Sequence, residues 1–145
     1  MKQEMKLEFD SLPSNESFAR VVVAAFLTRL NPTMEEVADI KTAISEAVTN
    51  AIIHGYDHEI RKILITASVE KDVLTVSVQD FGVGIEDVRK AMEPLYTTRR
   101  DLERSGMGFV FMEAFMDSVH VESKKGEGTT VTMTKKIGRR YEMKD

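Results

Sequence analysis

Four short stretches combine residue types at spacings that suit chemistry. Glu46 and Asn50 lie four positions apart, so on a helix they share one face about one turn from each other. A carboxylate placed so can take a proton from an attacking hydroxyl, and an amide oxygen is a hard ligand suited to Mg²⁺. A solvated Glu and an Asn near a helix end would read the same way. Asp80-Phe81-Gly82-Val83-Gly84 follows a run rich in β-branched residues. An aspartate at a strand end can accept a hydrogen bond from an exocyclic amine, and glycines leave room for a flat ring. A plain strand-to-helix turn has the same letters. Gly106-Met107-Gly108-Phe109 opens a helical pattern, where free backbone amides and the helix dipole favour an anion such as phosphate. A tight helix entry would account for it equally. Gly128-Thr129-Thr130 is the weakest signal, because any hairpin turn can carry it.

Other phosphate and metal patterns do not fit. Position 87 is Asp where a dinucleotide loop starting at Gly82 needs its third glycine, and no G-x-x-x-x-G-K-[ST] occurs. Asp80-Phe81-Gly82 spells D-F-G, but no H-R-D precedes it. His54 and His58 have no cysteine and no clear third ligand beside them, which argues against zinc. Lys135, Lys136, Arg139 and Arg140 form a basic tail balanced by Glu142 and Asp145, so solvation explains it better than DNA.

The elements that must position these groups follow from periodicity. Met5, Leu7 and Phe9 alternate with charged residues as an opening strand ended by Pro13. Ser14 or Asn15 is expected to cap a first helix with Phe18, Val22, Ala25, Phe26 and Leu30 on its apolar side. Asn31 and Pro32 break it. Thr33 with Glu36 predicts a capping box for a second helix, which buries Val37, Ile40, Ile44, Val48 and Ile52 and stops at Gly55. Glu46 and Asn50 then sit beside that stripe, where they can face a cleft. Lys62–Val69 and Val73–Gln79 read as a hairpin, followed by a polar stretch to Ser105 with one helical turn near Asp87–Met92. A third helix from Gly106–Phe109 to about Met116 precedes a last strand pair, Val119–Ser123 and Thr129–Thr134. Met107, Met112 and Met116 are most simply core. The expected fold is α+β: a two-layer sandwich with a mixed sheet and three helices on one face.

Composition limits the alternatives. At 145 residues and 42% hydrophobic content the chain can fill one core, not two, so residues 1–145 are expected to form a single domain. A net charge of −4 lacks a nucleic-acid footprint. No apolar run has transmembrane length, and zero cysteines remove disulfides and thiolate chemistry. A soluble cytoplasmic protein with no direct contact to nucleic acid or membrane is the expectation.

Taken in order, Glu46-x-x-x-Asn50, Asp80-x-Gly82-x-Gly84, Gly106-x-Gly108 and Gly128-Thr129 resemble the nucleotide-binding boxes of the gyrase, Hsp90, histidine-kinase and MutL ATPase superfamily, with its Bergerat fold. The resemblance runs from about Leu7 to Lys136, and the joint pattern is far more specific than any one box. Within the superfamily, Ser45-Glu46-Ala47-Val48-Thr49-Asn50-Ala51-Ile52-Ile53-His54-Gly55-Tyr56 looks like the small anti-sigma serine kinases. Asn15–Arg20, Pro94–Thr98 and Glu103–Phe109 are similar to the sporulation, anti-sigma-F branch of that family.

The resemblance implies the following roles. Asp80 would bind the adenine amine, with Gly82 nearby and with Gly84 and Thr130 helping through water. Asn50 would hold Mg²⁺ against the phosphates of ATP, and the backbone at Gly106, Met107, Gly108 and Phe109 would cradle them. Residues 85–105 would be a lid over ATP, contributing Thr97, Thr98, Arg104 and Ser105, with Arg99 and Arg100 as further cations. Glu46 would be the base that deprotonates a substrate serine. Phe81 departs from what the pattern suggests, being bulky beside a nucleotide, but it occupies no glycine position. The implied partners are sigma factor F, an anti-anti-sigma factor phosphorylated on serine, and a second copy of the chain as a homodimer. Arg20, on the outward side of the first helix, would belong to the partner surface. A related stress-response anti-sigma kinase and a nucleotide-gated sigma-binding module without transfer share most of these features.

Overall fold

The computed structural model describes residues 1–93 and 108–138. Along the chain it comprises β1 (Gln3–Asp10), α1 (Ser14–Leu27), α2 (Met34–Asn50), β2 (Lys62–Glu70), β3 (Val73–Asp80), α3 (Val88–Ala91), α4 (Gly108–Phe115), β4 (Ser118–Lys124) and β5 (Gly128–Lys136). This is the element order the sequence predicts. The strands form one sheet in the order β1-β2-β3-β5-β4. Every neighbouring pair in it is antiparallel, where a mixed sheet was expected. The reason lies in the connections: β2–β3 and β4–β5 are hairpins, and the segment between β3 and β4 returns the chain to pair β5 beside β3.

Strand alternation divides the sheet into two chemically distinct faces. Ile63, Ile65, Leu74, Val76, Val78, Val131 and Met133 point to the helix layer and are buried. Thr66, Ser77, Thr132 and Thr134 point away and are only half-buried, with the Ser77 and Thr132 hydroxyls 2.9 Å apart across the β3–β5 ladder. Helix α2 packs between α1 and α4 over the apolar face. Met112 and Met116 are buried there, as expected for core.

The two long helices begin differently. At α2 the predicted capping box is present: the Glu36 amide donates to the Thr33 hydroxyl at 3.0 Å, and the Thr33 amide donates to the Glu36 carboxylate at 2.8 Å. At α1 neither Ser14 nor Asn15 caps. Pro13 occupies the cap position, and the Asn15 amide group donates back to the Asp10 carbonyl at 2.8 Å. The buried face of α1 is also shifted by one residue from the predicted stripe. Ala19, Val23, Phe26 and Leu27 are buried, whereas Phe18 stays 49% exposed and Ala25 is exposed.

Past Asn50 the helix widens into a π turn, Ala51–Gly55. The Tyr56 amide donates to the Ala51 carbonyl at 2.9 Å and the His58 amide to Ile52 at 3.0 Å. Asp57 and His58 then take left-handed φ values of 51° and 67°, turning the chain sharply into β2. Such widened turns recur at functional sites, and this one delivers Gly55 against the end of β3. Among the described residues, no helix is long and apolar enough to cross a membrane.

Candidate functional site

The strand period carries Asp80 onto the helix-covered face: Leu74, Val76 and Val78 precede it at alternate positions and all are buried. Asp80 itself is 5% exposed. The Gly82 amide donates to its carboxylate at 2.9 Å. Burial pushes the Asp80 carboxyl above its ordinary range, against the backbone N–H groups of Gly82 and Thr129 and the charge of Arg61. A buried carboxylate with spare acceptor capacity at a cavity floor suits a donor such as an exocyclic amine.

Glycines make the close approach possible. A Cβ at Gly55 would stand 2.7 Å from the Asp80 carboxyl carbon, and one at Gly82 would stand 1.8 Å from the Gly55 carbonyl oxygen. Gly82 thus lets two loops touch behind the carboxylate; it does not line the cavity. Gly84 has φ +78° and a would-be Cβ 2.1 Å from the Lys124 carbonyl oxygen, so it seats the loop on the β4–β5 hairpin. That seat is fastened by the Ile85 amide donating to the Ser123 hydroxyl at 2.6 Å and the Gly126 amide donating to Val83 at 2.6 Å.

The cavity above Asp80 measures about 460 Å³, within the size range of small-ligand sites. Asn50, Asp80, Gly84, Gly108 and Phe109, all predicted site residues, line it together. Glu46 is half-buried one turn before Asn50 on α2 and is not in the lining. Helix α4 begins at Gly108, so its first residues face the cavity. Of the proposed lid, Ile85 to Glu93 is described; Ile85, Glu86, Asp87 and Lys90 line the cavity, and Asp87 caps α3 through the Lys90 amide at 3.1 Å. Thr97, Thr98, Arg99, Arg100, Arg104, Ser105, Gly106 and Met107 lie outside the described residues.

Thr130 is placed elsewhere. It pairs with Gln79 across the ladder and faces the open side of the sheet, whereas Thr129 pairs with Asp80 and is buried at the cavity. Thr129, His54, Gly55 and Lys125 are lining residues that the sequence reading did not assign. Strand parity could have found Thr129, since it must match Val131 and Met133. Arg20 is half-buried, with its guanidinium 3.4 Å from the Glu16 carboxylate and donating to Ser17 at 3.2 Å. Glu16 also accepts from the Ser45 hydroxyl, linking α1 to α2 beside Glu46. Lys135, in the basic tail, is turned inward and donates to the Phe115 carbonyl at 2.7 Å.

The residues present suit ATP with Mg²⁺ in two respects. The buried acceptor and apolar wall of Val83, Ile85 and Val131 fit a flat base with an amine edge. The Asn50 side chain supplies a neutral oxygen at the same cavity, as a Mg²⁺ ion that keeps water and phosphate ligands would need.

An antiparallel sheet under one helical layer, with a buried aspartate and glycine loops around a cavity, defines a nucleotide-binding ATPase class. Residues 9–135 match the histidine kinase-like ATPase domain model, and the chain belongs to that family. Within it the chain stands among the anti-sigma F factors. It is 57% identical over 137 residues to the anti-sigma F factor of Clostridium acetobutylicum, covering 94% of this chain and 96% of the other. It is 59% identical over 134 residues to that of Thermoanaerobacter sp., covering 92% and 94%. By structure it is similar to the RsbU and RsbW domains of a Mycobacterium tuberculosis protein (TM-score 0.67, 22% identity, 93% of this chain and 32% of the other). It is also similar to the catalytic domain of the histidine kinase ThkA (TM-score 0.56, 18% identity, 92% and 96%).

Proposed function

We propose that the chain is an ATP- and Mg²⁺-dependent protein-serine kinase and an anti-sigma factor, which sequesters sigma factor F and phosphorylates the anti-anti-sigma factor that would displace it. The observation that carries this reading is the convergence of Asp80, Asn50 and the start of α4 on one cavity, in a chain so similar to anti-sigma F factors. Asp80 accepts from the adenine amine while Gly82 and Thr129 hold the carboxylate in place. The Gly108–Phe109 backbone meets the phosphates, and Asn50 holds the metal. Mg²⁺, when bound, neutralises phosphate charge and aligns the transferred group. Glu46 takes the proton from the substrate serine hydroxyl as its oxygen attacks phosphorus, and the leaving ADP carries the bond's electron pair. Residues 85–105 form the lid, two copies of the chain form the working dimer, and the reaction belongs to the cytoplasm of a sporulating cell.

The test is direct. Labelled ATP, Mg²⁺, the chain and a candidate anti-anti-sigma factor should yield label on a serine of that factor. Binding of ATP and sigma factor without any transfer would leave a nucleotide-gated sigma-binding module instead.

A further inference from the structure

The Asp80-Phe81-Gly82 turn carries the carboxylate that would read the base, yet its own side chains anchor it poorly: Phe81 is 44% exposed and Val83 59% exposed. Its backbone is held from outside the sheet. The Phe81 amide donates to the Tyr56 hydroxyl at 2.8 Å, and the Arg61 guanidinium donates to the Phe81 carbonyl at 2.9 Å. The Tyr56 hydroxyl in turn donates to the Lys62 carbonyl. The Arg61 guanidinium lies over the Tyr56 ring, 4.8 Å from its centroid, a cation–π contact. Both polar groups of the Phe81 peptide unit are therefore satisfied by two side chains from the α2–β2 connection. The left-handed pair Asp57 and His58 folds that connection tightly enough to present both.

We infer that Tyr56 and Arg61 are positioning residues, a clamp that fixes the Asp80 turn for base recognition. The inference rests on the reading of Asp80 as the adenine acceptor. Arg61 supplies the positive charge behind a carboxylate that is otherwise desolvated, and Tyr56 is the other titratable group of the clamp. Among the described residues, His54, Glu86, Asp87, Lys90, Glu93 and Lys125 are the other titratable groups that line the cavity.

The experiment is Mg·ATP titration by calorimetry from pH 5 to 8 on the full chain, for the parent, Arg61→Met, Arg61→Lys, Tyr56→Phe and Asp80→Asn. Arg61 is exposed, so its variants keep the core intact. Arg61→Met should weaken binding roughly three- to tenfold at neutral pH, the worth of one lost hydrogen bond to a positioned group. It should also move the acid limb of binding to higher pH, because Asp80 protonates sooner without the neighbouring charge. Arg61→Lys should restore the acid limb but only part of the affinity, since an ammonium cannot match the planar contact with Tyr56. Tyr56→Phe should weaken binding comparably with no upward move of the acid limb. Parent-like affinity and pH profile in Arg61→Met, with Asp80→Asn still weak, would overturn the clamp alone. Lost affinity with an unmoved acid limb would make Arg61 a structural prop and also overturn it. Parent-like binding in Asp80→Asn would overturn the adenine reading beneath.

Discussion

The two parts of the candidate site are built on different principles. At the Asp80 end, β3, β5 and the π turn after α2 converge; glycines at 82 and 128 let backbone approach backbone, and Gly55 leaves room for the Asp80 carboxylate. The carboxylate is buried and held by backbone amides. On α2, by contrast, Asn50 lines the cavity and Glu46 lies one turn earlier, outside the lining; both are half-buried on a single helix face and owe their relation to helical spacing. A group fixed on all sides can discriminate a ligand's shape and polarity. One on a helix surface can approach and leave a reacting atom. Recognition and chemistry thus rest on different elements, one in the sheet and one on a helix, and they should fail independently.

The largest expected effect belongs to the helix end. Glu46→Gln keeps size and hydrogen-bonding capacity but cannot take a proton, so phosphotransfer should fall roughly 10²–10⁴-fold. ATP and sigma factor binding should stay near normal, because a base acts on the transition state. Timed transfer assays beside calorimetry separate the two. Equal loss of binding would show that the ends are not independent.

At the other end, Asp80→Asn should weaken ATP binding by about 1–3 kcal/mol, since the amide can offer a donor where an acceptor is required. Gly55→Ala should do comparable damage indirectly. Its added Cβ meets the Asp80 carboxyl carbon at 2.7 Å, and overpacking of this kind costs about 1–3 kcal/mol of stability. Denaturant melts with and without Mg·ATP should show both losses in the same variant.

A smaller effect concerns acidity. Burial, the largest influence, raises the Asp80 pKa above its unfolded value. The folded protein therefore binds that proton more tightly than the unfolded chain does. Asp80's contribution to stability is full below the ordinary carboxylate pKa and is lost as pH rises through the raised folded value. The stability of the parent relative to Asp80→Asn should accordingly improve as pH falls from neutral towards 4. A constant difference would mean that Asp80 is not desolvated.

The smallest effect on the nucleotide site should come from Arg20→Glu. Among the described residues Arg20 pairs with Glu16 and Ser17 of its own helix, and partly exposed pairs of this kind contribute about 0–1 kcal/mol. ATP affinity should be unchanged, while binding to sigma factor and to the anti-anti-sigma factor should be lost by charge reversal. Retained binding to both would place the partner surface elsewhere.

How far residues announce structure differs along the chain. Thr33, Glu36 and the stripe from Ile40 to Ile52 were readable because a capping box and a single apolar face point the same way. On α1 two overlapping apolar stripes compete: the predicted Phe18, Val22, Ala25, Phe26 and Leu30, and the observed Ala19, Val23, Phe26 and Leu27. Periodicity alone cannot choose between them. The glycine pairs were legible as places of close approach, but not which partner each one meets. Gly82 meets Gly55, not a ligand. Thr130 came from the resemblance, whereas the unbroken alternation of β5 with Val131 and Met133 puts its neighbour Thr129 at the cavity. The antiparallel order of the sheet depends on how the β3–β4 segment returns, which no local pattern encodes.

The most direct measurement sets Glu46→Gln and Asp80→Asn side by side, scoring each for ATP affinity and for label transferred to the anti-anti-sigma factor at saturating ATP. The account predicts opposite signatures. Glu46→Gln should bind ATP normally and transfer almost nothing. Asp80→Asn should bind weakly and recover transfer once ATP saturates it. Two variants that lose binding and transfer together, to the same degree, would contradict the division between a recognising carboxylate in the sheet and a reacting one on the helix.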